Sequence, residues 1–111
     1  MPGRRFQPYF RHGLLPQLIA FDACLRLGGV SRAAEHLALA QPTVSGLIRR
    51  LSETVGEPVL LARGRNVELT EAGHDVALLC AEMLAALSRF EERRDRAAVL
   101  RGANPEPLAN D

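Results

Sequence analysis

The sequence predicts a mainly α-helical fold of three short helices, a two-stranded hairpin and one long closing helix. Three observations carry that expectation. Apolar residues recur at three- and four-residue steps in four separate runs, and Gly28, Gly29, Gly56 and Gly102 fall where those runs stop. One stretch, PVLLARGRNVELT, alternates instead. With 111 residues, 47% hydrophobic and 24% charged, the chain has room for one small soluble domain and one long helix, and its core must be aliphatic because Trp is absent.

Residues 1 to 13, MPGRRFQPYFRHG, show no helical period and are expected to form a loose arm mixing Arg4, Arg5 and Arg11 with Phe6, Tyr9 and Phe10. From Pro16, the apolar residues Leu18, Ile19, Phe21, Ala23, Leu25 and Leu27 form a first helix with a broad apolar surface, closed by the glycine pair. Ser31 is the expected N-cap of a second, short helix over residues 32 to 38, whose Ala33, Ala34 and Leu37 suit close packing. Pro42 is tolerated only in a first turn, so a third helix begins at Gln41 or Pro42.

In that helix Val44, Leu47, Ile48, Leu51 and Val55 define one buried stripe. At about 100° per residue, Pro42, Gly46, Arg49 and Glu53 point away from it, flanked by Thr43, Ser45 and Arg50. Two helices of unequal length joined by a short turn, the second tipped with small polar and arginine side chains, suit insertion into a DNA major groove. The alternating segment turns around Arg63, Gly64, Arg65 and Asn66, giving a basic hairpin tip able to reach a minor groove or phosphates. Ala40 offers no capping side chain, so the first amides of the third helix are expected to be open to a phosphate oxygen.

Thr70 caps the long helix, expected to run to about residue 101. Its Val76, Leu79, Met83, Leu87 and Phe90 follow a coiled-coil-like seam, and the residues between them are also largely apolar. A helix apolar on more than one face needs a covering surface, so these five residues are expected to join two copies of the chain. The organisation expected is therefore an arm (1–13), a DNA-binding domain (14–69), a dimerisation helix (70–101) and a hinge or tail (102–111).

The net charge of +1 is unevenly spread. Residues 1 to 67 hold nine arginines and four acidic residues, whereas residues 68 to 111 hold five and nine. There is no lysine, and arginine's planar fork suits phosphates and guanine edges, so the first part faces an anionic partner. Cys24 and Cys80 match no metal or redox spacing and are expected to be buried free thiols. His12, His36 and His74 form no evident constellation with them, so neither catalysis, a metal nor a cofactor is expected. No apolar run approaches a membrane span, and a cytoplasmic location is expected.

The run GGVSRAAEHLALAQPTVSGLIRRLSETVGEPVLLARGRNVELTEAG resembles the N-terminal DNA-binding domain of LysR-type transcriptional regulators, and the apolar helix after it resembles their linker helix. The resemblance covers about residues 14 to 95, and SRAAEHL, QPTVS, VGEPVL and LTEAG are its most specific parts. It implies a winged helix-turn-helix that dimerises through the linker helix on a pseudo-palindromic promoter site of double-stranded DNA. By position, Gln41, Pro42, Thr43 and Ser45 match the family's recognition-helix tip and Arg65 its wing arginine. Arg32 and Arg49 are added as backbone contacts on grounds of charge and placement.

Five positions depart from the family pattern. Ala40 stands for a serine cap, Gly46 for a frequent groove-facing arginine, Ser52 for a glutamate and Ala62 for an arginine that Arg63 partly replaces, while Glu68 adds negative charge near the wing. Full-length members continue into an inducer-binding domain of two α/β lobes, so a small-molecule inducer is expected to act only through such a domain, which these residues do not encode. Molybdate-responsive regulators carry a similar N-terminal domain, but QPTVS and LTEAG favour the LysR type. A competing reading is an interaction module that pairs with full-length relatives through the long helix without productive DNA binding.

Overall fold

The structure, a computed structural model, describes residues 13 to 64 and 66 to 102. The arm before them, the tail after them and Arg65 lie outside the described residues. Two compact units divide the chain, the first ending at Cys80 and the second starting at Ala81.

In the first unit, α1 (Leu14–Leu27), α2 (Val30–Leu37) and α3 (Gln41–Val55) precede a hairpin of β1 (Leu60–Arg63) and β2 (Asn66–Leu69) and the first turns of α4 (Glu71–Arg101). This is the winged helix-turn-helix that the pattern predicted. α1 packs against both α2 and α3, which explains its broad apolar surface. Toward α2 it presents Ala20, Ala23 and Cys24, which meet Ala33, Ala34 and Val44 in a cluster of small side chains that lets the helices approach closely. Elsewhere Leu18 and Phe21 join Leu51, Val59, Val76 and Cys80. Burying a side chain such as Phe21 contributes about 1.5–3 kcal/mol, so these two clusters anchor α3 through Val44 and Leu51. Burial pushes the thiols of Cys24 and Cys80 up, that of Cys80 further through Asp22.

α2 begins earlier than its capping residue suggested. Ser31 lies inside the helix; Gly29 takes the N-cap place, and its carbonyl accepts from the Ala33 amide at 3.1 Å. Half-buried Val30 packs into the small-residue cluster, and that packing draws the first turn back past the serine. The helix closes at Ala38, where it was expected to end, and does so without a glycine. Ala38 adopts the left-handed conformation (φ 57°), with its amide and that of Leu39 bonded to the carbonyls of Glu35 and Ala34. That is the paired hydrogen-bond pattern usually closed by glycine.

The link from α3 to the hairpin is fastened at both sides. Ser52 Oγ accepts the Val59 amide at 3.2 Å, and the Val59 carbonyl accepts the Thr70 amide at 3.3 Å. The Thr70 hydroxyl donates to the Pro58 carbonyl at 2.7 Å while accepting the Gly73 amide at 2.9 Å, so one side chain caps α4 and holds the link. A Cβ at Gly73 would overlap the Val59 carbonyl oxygen and lie 2.9 Å from Leu69 Cδ2, so only glycine permits this close approach. Leu60 pairs with Leu69 at the hairpin base, and both pack on the core, while Arg63 pairs with Asn66 at the tip. Gly64 supplies the positive φ of 61° that a two-residue connection requires.

Val76 is corrected as a dimerisation residue. Only 6% exposed, it is part of its own chain's core. In the second unit α4 continues with nearly every residue exposed, including Met83, Leu84, Leu87 and Phe90. No single described helix is long and apolar enough to cross a membrane.

Candidate nucleic-acid interface

α3 starts without a side-chain cap, at Ala40 in an extended conformation, with Pro42 in its first turn. Pro42 has no amide to satisfy, and the Thr43 amide bonds to the Ala40 carbonyl at 3.0 Å. Fewer orphan donors therefore remain there than the missing serine suggested. Gln41, Pro42, Thr43, Ser45, Arg49 and Arg50 are exposed, while Val44 between them is fully buried and fixes the orientation of the tip. Gly46 is half-buried, with open space where a side chain would be.

Arg32, near the start of α2, lines one surface cleft with Gln41 and Leu39, and another with Ala62, Gly64 and Asn66 of the hairpin. It thus stands between the tip of α3 and the wing. Its Nη1 donates to the Leu27 carbonyl at 3.4 Å, a long bond that places the guanidinium beside the C-terminal end of α1. Arg63 is exposed at the end of β1 and ion-paired with Glu68 at 3.0 Å. Among the described residues, Arg32, Arg49 and Arg50 enter no ion pair, so their charge is available to an anion. The structure brings Arg32 together with Gln41 in one cleft and with the hairpin in the other. Arg65 lies outside the described residues.

Sequence reasoning missed two features of this surface. One is the Arg63–Glu68 pair, which register makes possible because Glu68 faces Leu61, two places from the Arg63–Asn66 pair and so on the same face of the hairpin. The other is Asn66, whose place in the cleft with Arg32 depends on how the hairpin packs. Among the described residues no group of three His, Cys, Asp or Glu side chains is placed to hold a metal ion.

The family model described as a bacterial regulatory helix-turn-helix protein of the lysR family matches residues 15–74, from α1 into the first turn of α4. The chain belongs to the LysR family. LysR-family relatives include the RuBisCO operon transcriptional regulator of Acidithiobacillus ferrooxidans, 38% identical over 82 residues, which are 74% of this chain and 26% of that protein. The HTH-type transcriptional activator CmpR of Synechocystis is 35% identical over 82 residues, 74% of this chain and 27% of the relative. The chain thus spans about a quarter of the length of these curated relatives.

Solved LysR-family structures repeat the fold. The CbnR DNA-binding domain in complex with DNA superposes with a TM-score of 0.65 at 30% identity, covering 75% of this chain and 95% of that one. The BenM DNA-binding domain bound to catB site 1 DNA gives 0.67 at 28% identity, covering 76% and 94%.

Proposed function

We propose that this LysR-family chain binds double-stranded DNA in a sequence-dependent manner as a two-fold dimer and serves transcription control at a pseudo-palindromic promoter site. The observation that carries the reading is the tip of α3. Gln41, Thr43 and Ser45 are exposed while Val44 and Leu51 lock the helix beneath them, giving a rigid polar edge with arginines free of ion pairs two turns further on.

Gln41, Thr43 and Ser45 face base edges in the major groove, where the amide of a glutamine suits adenine. Pro42 fixes the first turn. Arg32, Arg49 and Arg50 contact phosphates on either side, and Arg63 and Arg65 of the wing reach the adjoining backbone or minor groove. Leu79, Met83, Leu87 and Phe90, joined by Leu78 and Leu84, form the dimer seam, placing two copies of α3 about one duplex turn, roughly 34 Å, or a multiple apart. A small-molecule inducer would act through a domain outside these residues.

The support is fourfold: the family, the neighbours solved with DNA, the arginine bias and the exposed tip. The test is selection of bound duplexes from a random pool at defined salt, followed by titration of the winner across a salt series. Recovery of a two-fold symmetric sequence and a fall in affinity with rising salt are expected. An unenriched pool, with pairing to a full-length relative retained, would replace this reading with that of an interaction module.

A further inference from the structure

Gly46 occupies the middle of the exposed side of α3, where nothing in the fold calls for a glycine. Its φ is not positive, and a Cβ built there would meet nothing within 4 Å. Gly73 is the opposite case, since a Cβ there would overlap the Val59 carbonyl. A glycine inside a helix weakens it relative to alanine, through backbone entropy that an alanine would not cost. At position 46 the chain accepts that loss with no packing in return.

The neighbours say where the gap opens. Pro42, Arg49, Arg50 and Glu53 share this side of the helix by spacing, and all are exposed. The missing side chain therefore leaves a notch between the tip that carries Gln41, Thr43 and Ser45 and the arginines further along.

We infer that Gly46 is a specificity-determining position, at which the bare α3 backbone admits the major-groove edge of a base pair closer than any side chain would allow. This inference rests on the DNA reading above. A side chain at 46 would hold the whole tip away from the base edges. Hydrogen bonds to bases depend steeply on distance, whereas arginine contacts to phosphates follow a small displacement through their flexible stems. Filling the notch thus costs sequence discrimination before it costs general affinity.

The test uses the full chain and its Gly46→Ala variant, each measured by thermal unfolding and by titration against the selected duplex and a random duplex of equal length at one salt concentration. The variant is expected to unfold a few degrees higher, to lose about tenfold on the selected duplex and to change less than about twofold on the random one. Retention of the selected affinity within about twofold would overturn the inference, as would an equal loss on both duplexes. A lower unfolding temperature would also overturn it, by showing that the fold itself needs this glycine. Failure of the unaltered chain to bind any duplex would instead reject the DNA reading, and this inference with it.

Discussion

The Arg63 guanidinium lies 3.0 Å from the Glu68 carboxylate across the hairpin, and both side chains are more than half exposed. Such a pair adds little to stability, under about 1 kcal/mol. Its effect on a ligand is larger, because Glu68 neutralises a wing arginine that stands one place from Ala62. Glu68→Gln is therefore expected to strengthen binding to all duplexes severalfold and to steepen the salt dependence by up to about one phosphate contact, with stability unchanged within about 0.5 kcal/mol. Titrations at several salt concentrations check this; an unchanged slope would mean that Arg63 meets no phosphate.

Ser52 shows how a departure from the family pattern fits locally. Its hydroxyl accepts the part-buried amide of Val59, the residue whose carbonyl in turn holds Thr70. Ser52→Ala leaves that amide without its acceptor and is expected to lower the unfolding free energy by about 1–3 kcal/mol. Hydrogen exchange at the Val59 amide should quicken before global unfolding does. Urea denaturation with no loss of stability would show that water replaces the hydroxyl without cost.

Ala38 holds a backbone conformation that costs a non-glycine residue about 1–2 kcal/mol. Ala38→Gly removes that strain, although the more flexible unfolded chain takes part of the gain back. A net rise of about 0.5–1 kcal/mol in unfolding free energy is expected, with DNA affinity unchanged because the α2–α3 turn keeps its shape. A destabilised variant would mean that the alanine methyl makes a contact outweighing its strain.

Much of this fold is legible because its signals are local. The stripe of Val44, Leu47, Ile48, Leu51 and Val55 marks the buried side of α3, and RGRN marks the hairpin turn. Thr70 declares the start of α4. The errors have the opposite character. Ser31 looks like a cap, but half-buried Val30 starts the helix sooner. Val76 fits the apolar seam of α4 equally well on either side, and its place in the buried cluster that holds Leu18, Phe21 and Val59 decides that it faces inward. For the site, residue identity marks the tip of α3, but the Arg63–Glu68 pair depends on the register of the hairpin, and the place of Arg32 between tip and wing on contacts distant in sequence.

Two kinds of contact are expected to separate by mutation. Arg49→Ala should weaken binding to every duplex alike and flatten the salt slope by about one unit if one phosphate contact is lost. Gln41→Ala should instead cost about 1–3 kcal/mol on the selected duplex and much less on random sequence. Parallel titrations of both duplexes distinguish them. Equal losses from Gln41→Ala on the two would remove it as a base reader.

Leu87 and Val76 offer a contrast on one helix, since Leu87 is 52% exposed and Val76 only 6%. An aspartate at a core position buries an unpaired charge, so Val76→Asp is expected to destabilise the fold by more than about 3 kcal/mol. Leu87→Asp places its charge where the single chain already meets solvent. It should leave the helical circular dichroism intact while opposing aspartates destabilise the apolar seam between copies. Sedimentation equilibrium at tens of micromolar is then expected to show a dimer for the unaltered chain and a monomer for Leu87→Asp. Because a two-fold site is read by two tips held together, the monomer should lose affinity for the full selected duplex but bind an isolated half-site as the parent does. A Leu87→Asp chain that remains dimeric would remove Leu87 from the seam, and a monomeric parent would remove the dimer from the proposed function.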